Sequence, residues 1–331
     1  MPLARAALTL LLTFHPAVAA EMWGRPGGGL TYVLAVDPRT PRVAYGGTGH
    51  GGIFETTNGG RAWTKLPARR RRGRVRAVAA DRTGTVYAAA EDGALRKLLP
   101  GAPEWVVADH AARQVVSIAI DDRRRPATIY VGTATGEVRR STDGGTTWTA
   151  GGGGLAGHSV EALAIDRRRH PGVLWAATPG GIFRSGDGGD RWRQMSAIPA
   201  RALAVDRTRR GTIFAAQGKL VRSTDGGKTW RAAESIRYAL SLAVDSSVRP
   251  GIVYVGTSYE SVQRSADGGD TWSSAAGGLP KLGEVIALAA DSRRKPARLY
   301  AATSTLGVYS STDGGRIWQP DDATARAMQP R

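Results

Sequence analysis

Apolar and polar positions along this chain fall into a pattern that recurs about every forty residues. A short apolar run ends in Asp seven times, at Asp37 (VLAVD), Asp81 (VAAD), Asp121 (SIAID), Asp166 (ALAID), Asp206 (ALAVD), Asp245 (LAVD) and Asp291 (ALAAD). A turn containing Arg or Pro follows, then a second apolar run such as TIYVGT at 128–133 or IVYVGT at 252–257. A third run, such as GIFRS at 181–185, leads into a glycine-rich turn. Short runs rich in β-branched and aromatic residues, punctuated by turn residues, predict strands, and no comparable stretch carries a helical period. Each unit therefore reads as three strands, a turn and a fourth strand.

The turn before the fourth strand has its own signature, Ser/Thr-x-Asp-x-Gly-x-x-Trp. Six copies begin at Thr56 (TTNGGRAW), Ser141 (STDGGTTW), Ser185 (SGDGGDRW), Ser223 (STDGGKTW), Ser265 (SADGGDTW) and Ser311 (STDGGRIW), and an eroded seventh, LLPGAPEW, ends at Trp105. The tryptophans at 63, 105, 148, 192, 230, 272 and 318 are 42, 43, 44, 38, 42 and 46 residues apart, the spacing of one four-stranded blade per repeat. At the acidic position stand Asn58, Asp143, Asp187, Asp225, Asp267 and Asp313, whose side chains are expected to accept backbone N–H bonds of the turn. The glycines permit positive φ, and Trp63, Trp148, Trp192, Trp230, Trp272 and Trp318 are expected to pin each hairpin to its sheet. Six similar copies cannot all be an active site, so these residues read as turn staples.

These boxes resemble the Asp-box (BNR) repeats of sialidases, family 74 xyloglucanases, Vps10/sortilin ectodomains and Ycf48-type photosystem II assembly factors, over about residues 34 to 320. The resemblance implies an all-β, seven-bladed β-propeller of four-stranded antiparallel blades with Asp-box turns. Blades are expected near 34–66, 75–107, 115–150, 160–194, 201–232, 239–274 and 285–320, within one domain over 21–331. Closing the ring removes exposed sheet edges. Trp23 to Leu30 (WGRPGGGL) resembles Trp148 to Leu155 (WTAGGGGL), so 21–33 is expected to supply a closing strand to the last blade. The motif specifies the blade and not the function, because that superfamily mixes hydrolases with binding proteins.

Charge narrows the partner class. The 331 residues carry a formal +18, and 40 of the 46 basic residues are Arg, which favours anionic proteins, glycans or phosphates. Residues 1–20 read as a signal peptide, with Arg5, the apolar stretch Ala6 to Phe14, and Val18-Ala19-Ala20 before Glu21, so a periplasmic or secreted protein is expected. No later run approaches the roughly 20 apolar residues of a membrane helix. With no cysteine, an exported fold must hold without disulfides, and a monomer is expected.

Two faces follow from the blade order. First-to-second strand turns share a face with the boxes and carry Arg124, Arg125, Arg168, Arg169, Arg209, Arg210, Arg293 and Arg294, the expected anion-binding residues, suited to bidentate bonds with carboxylate, sulfate or phosphate. The alternative reading of these clusters is solvated turns in an Arg-rich composition. The opposite face carries Glu91, Asp92, Glu137, Glu161, Glu260 and Glu284, with His50, His110, His158 and Tyr259 nearby in sequence. A sialidase-like route pairs a Tyr nucleophile with a Glu, which singles out Tyr259, Glu260 and Glu137 as catalytic candidates. Two departures weaken that route. The Arg-Ile-Pro motif of sialidases is missing, Arg25-Pro26 being its only echo, and family 74 xyloglucanases clasp substrate between two such domains.

The basic run Ala68 to Arg76 (ARRRRGRVR) has no interleaved aromatics, and with export this argues against nucleic acid. Neither metal-ligand nor phosphate-loop spacing occurs, so no metal and no cofactor is expected, and the central channel is left open to a bound ion. The expected function is a non-enzymatic binding or assembly propeller holding an acidic protein or anionic polysaccharide on its basic face. The alternative is a glycoside hydrolase working on the face opposite the boxes.

Overall fold

The computed structural model describes residues 30–322 apart from 68–72, 110–113, 156, 169–171, 282 and 305–306. The expected signal peptide, most of the basic run, His110 and Arg169 lie outside the described residues, as do 21–29 of the expected closing strand. Residues 31–33 belong elsewhere than expected. They open the strand Thr31–Val36, which pairs with Ala44–Thr48 as the first strand of the first repeat.

Strands pair antiparallel in chain order. In the third repeat Val115–Asp121, Thr128–Thr133, Val138–Ser141 and Thr149–Gly151 form a four-stranded meander. Every Asp predicted to close an apolar run ends the first strand of its repeat, as Asp121, Asp166, Asp245 and Asp291 do, or follows it directly, as Asp37, Asp81 and Asp206 do.

The sequence predicts seven separate blades. The described residues form five four-stranded blades, while the fifth and sixth repeats share one six-stranded sheet. The reason is local. The second-to-third turn of the fifth repeat is cut to Gln217, Gly218 and Lys219, exposed between buried ends, so Ile213–Ser223 runs on as a single strand. The link to the sixth repeat is absorbed into Arg231–Asp245, where Ala239 pairs with Gly218 on one side and with Thr257 on the other.

The core lies between neighbouring sheets, where large apolar side chains escape water at about 1.5–3 kcal/mol each. Tyr87 and Leu95 of the second repeat pack with Ile129 and Val131 of the third, and Tyr254 and Val262 of the sixth pack with Leu299 and Trp318 of the seventh. The ends of the array meet in the same way. Ala44 packs with Ala289 and Tyr300, and Trp63 lies edge-on to Tyr300 at 6.4 Å between ring centroids. Burial pushes the Tyr300 hydroxyl up to about 12. The first strands of the repeats line a central channel of about 540 Å³.

Candidate functional site

The boxes close on themselves. In the third repeat Asp143 Oδ1 accepts the amides of Thr146 and Thr147 at 3.0 and 2.9 Å, and its Oδ2 accepts the Thr147 hydroxyl at 2.6 Å. Ser141 Oγ donates to Asp143 at 2.8 Å and accepts the Gly145 amide at 2.8 Å. The Thr147 hydroxyl and amide hold the Asp143 carboxyl far below the usual carboxylate range, and Thr229 does the same for Asp225. Such a carboxylate is ionised and engaged with its own turn, so it has no proton to give near neutral pH.

In five repeats the box also clasps the preceding repeat. The carbonyl of its first glycine accepts Tyr87 Oη onto Gly144 at 3.1 Å, Arg140 Nη1 onto Gly188 at 3.1 Å, Tyr254 Oη onto Gly314 at 2.9 Å, and Arg298 Nη1 onto Gly59 at 2.8 Å across the ring closure. The second glycine meets an aromatic ring there. Gly227 has φ +87°, and a Cβ on it would stand 2.5 Å from Trp175. In the eroded second repeat only a short turn remains, Ala102 N to Leu99 O at 3.0 Å, and Trp105 Nε1 donates to Pro67 O at 2.6 Å without an aspartate.

On the box face, the expected arginine ring divides by what each side chain touches. Arg168 forks onto its own strand-ending acid, Nε to Asp166 Oδ1 at 2.8 Å and Nη2 to Oδ2 at 2.7 Å. Arg293 forks likewise onto Asp291, at 2.6 and 2.8 Å, and adds a bond to Thr40 O. Arg209 reaches the Asp267 carbonyl at 3.2 Å. Arg125, Arg210 and Arg294 are exposed, with no hydrogen-bond or ion-pair partner among the described residues, and Arg124 is exposed beside them.

The opposite face brings the candidate acids to basic partners more than to one another. Glu137 Oε1 accepts Arg139 Nη1 at 2.9 Å, and Arg139 Nε reaches Asp109 at 2.6 Å. Asp92 pairs with Arg96 at 2.5 Å, and Glu91 lies 3.8 Å from Arg76. Tyr259 is 74% exposed and stacks edge-on to Tyr238 at 4.9 Å; among the described residues its hydroxyl bonds no carboxylate. The Glu260 amide donates to Thr257 Oγ1 at 2.8 Å, which fixes the turn and leaves the carboxylate exposed.

The family model for the BNR/Asp-box repeat matches residues 221–232, the third strand and box of the fifth repeat. The chain is a β-propeller with Asp-box turns. Solved structures share this propeller at low identity. An ancestral GH74 enzyme superposes with a TM-score of 0.73 at 15% identity, over 88% of this chain and 46% of its own. The GH74 xyloglucanase from Xanthomonas campestris gives 0.68 at 17%, over 90% and 54%. The propeller thus spans about half the length of those enzymes. Ycf48, solved bound to a D1 peptide, gives 0.64 at 16%, over 86% of this chain and 93% of its own. The sequence matches no curated protein.

Sequence reasoning placed no side chain at the channel mouth of the propeller. Arg82, Asp122, Arg167 and Arg207 each directly follow a strand-ending Asp, and all four line the channel. Asp122, 5% exposed, accepts Arg82 Nε at 3.0 Å and Arg167 Nη1 at 2.5 Å. The signal was available: the residue after that Asp occupies one repeat position, at the inner end of a first strand, where side chains converge on the axis.

Proposed function

We propose that this propeller is an exported binding or assembly module that holds an acidic protein or anionic polysaccharide against its box face. The observation that carries this reading is the set of exposed guanidiniums without partners among the described residues, Arg125, Arg210 and Arg294, on a chain of net charge +18. Guanidinium groups free of internal carboxylates are the ones able to fork onto an external one. The likeness to Ycf48, solved with a peptide bound, supports a binding role by analogy of fold. In this reading the six-stranded sheet counts as two fused blades, giving seven repeats around one channel.

The hydrolase reading rests on the GH74 likeness and on Glu137, Tyr259 and Glu260. Glycoside hydrolysis needs two carboxylates flanking one bond, or a Tyr paired with a Glu. The bond from Arg139 to Glu137 and the stacking of Tyr259 on Tyr238 favour binding over that chemistry. The test is direct binding of the purified chain to poly-L-glutamate and to polygalacturonate at rising salt. Saturable binding that weakens as salt rises is expected; salt-independent binding, or none to either polymer, contradicts it.

A further inference from the structure

The rim arginines do not account for all the basic side chains on the box face. Arg207 lines the channel and, among the described residues, has neither a hydrogen bond nor an ion pair. Its neighbour Arg167 shares Asp122 with Arg82, so one carboxylate serves two guanidiniums, and Arg167 Nε is buried with no partner among the described residues. The other acids of the channel wall are engaged. Asp37 accepts the amides of Arg39 and Thr40 at 2.7 and 2.5 Å, and Asp291 is forked by Arg293.

Four arginines, Arg82, Arg167, Arg207 and Arg293, thus face three aspartates, Asp37, Asp122 and Asp291, around one cavity of about 540 Å³. Enclosure by the channel wall, and after it the charge of Arg167, lowers the Arg207 pKa from its ordinary value. Water still reaches the side chain within the channel, and a guanidinium stays charged at any ordinary pH. Two like charges held close in a narrow passage, with donors unused on both, are a standing demand for a counter-ion.

We propose that the box-face mouth of the central channel binds one oxyanion group, carboxylate or phosphate, on the guanidinium of Arg207. Deeper in the channel the wall turns aliphatic, with Leu163, Leu203 and Leu242 half-buried along it. A carboxylate carrying a short alkyl tail would bury that tail there, whereas free phosphate would use only the charged mouth. This site stands apart from the polymer-binding reading, since it lies inside the channel and uses none of the rim arginines.

Thermal melts of the full chain with inorganic phosphate, and with hexanoate, each against chloride at matched ionic strength, test it. A saturable rise in Tm is expected, with affinity falling about tenfold or more in Arg207→Gln. Arg210→Gln, on the rim, should leave the response unchanged. Arg207→Gln without anion should melt no lower than wild type, because it removes a charge that repels Arg167; Arg207→Lys, which keeps the charge, should retain part of the response. A response to phosphate alone assigns an inorganic anion, and one to hexanoate alone assigns a carboxylate ligand. A response to neither, one equalled by chloride, or one that Arg207→Gln keeps, overturns the site. A rim variant that loses polymer binding while keeping this response separates the two readings.

Discussion

The turns that follow Asp166 and Asp206 belong to successive repeats, lie on the same face and both begin Asp-Arg, yet they use their arginines differently. After Asp166 comes Arg168, which takes both carboxylate oxygens, and Arg167 leans onto Asp122. After Asp206 the corresponding residue is Thr208, whose amide and hydroxyl reach only Oδ1, at 2.7 and 2.6 Å. Among the described residues Asp206 Oδ2 stays buried without a partner, and Arg207 lines the channel without an ion pair. The number of arginines in a turn is therefore a poor measure of its capacity for an external anion. What matters is which of those guanidiniums the turn's own acids already hold.

The largest effect should come from the box behind the Asp206 turn, which is bonded to it through Gly226 N and Gly211 O at 3.0 Å. Gly227→Ala forces a Cβ against Trp175 at a positive φ and should cost about 2–3 kcal/mol in urea denaturation. A loss near zero would show that the turn holds without its box.

Asp122→Ala ranks next. Removing a buried partner from a pair costs about 3–5 kcal/mol, but Arg82 is 55% exposed and water takes up part of the loss, so about 2 kcal/mol is expected. In an Arg82→Gln background the loss should shrink, which a double-mutant cycle reads directly.

A pH titration sharpens the contrast further. Burial alone would raise the pKa of Asp121 and Asp166, but the side-chain and backbone bonds from Arg123 and Arg168 outweigh it, and both lie below the ordinary value. A carboxyl with a depressed folded pKa contributes fully above its unfolded value of about 3.9 and loses that contribution as pH falls through the folded one. Stability should fall with acidification below about pH 4, and Arg168→Gln should flatten part of the fall. At neutral pH the same substitution should cost less than about 1 kcal/mol, as exposed ion pairs do. An unchanged acid limb in Arg168→Gln would mean the fork is idle.

Much of the architecture was legible because it repeats. The Asp that closes each apolar run and the Ser-x-Asp-x-Gly turn recur about every forty residues, and the strands follow them. Two features stayed hidden. The shortened turn at Gln217, Gly218 and Lys219 fuses two repeats into one sheet, and only tertiary pairing reveals it. The clasp from a box glycine carbonyl to the preceding repeat joins residues as far apart as Arg298 and Gly59, a contact that no local pattern encodes. The division of the arginines was half legible. The spacing Asp-x-Arg occurs at Asp37, Asp121, Asp166 and Asp291 and becomes a fork at the last three, whereas the convergence of Arg167 and Arg207 on the channel depends on where first strands end.

The face that binds decides the account most directly. Affinity for poly-L-glutamate should be measured for the wild type, for a box-face variant combining Arg125→Gln, Arg210→Gln and Arg294→Gln, and for an opposite-face variant combining Glu137→Gln, Tyr259→Phe and Glu260→Gln. The account predicts about a tenfold or greater loss and a shallower salt dependence in the box-face variant alone. Full affinity in that variant, with loss in the opposite-face one, would contradict it.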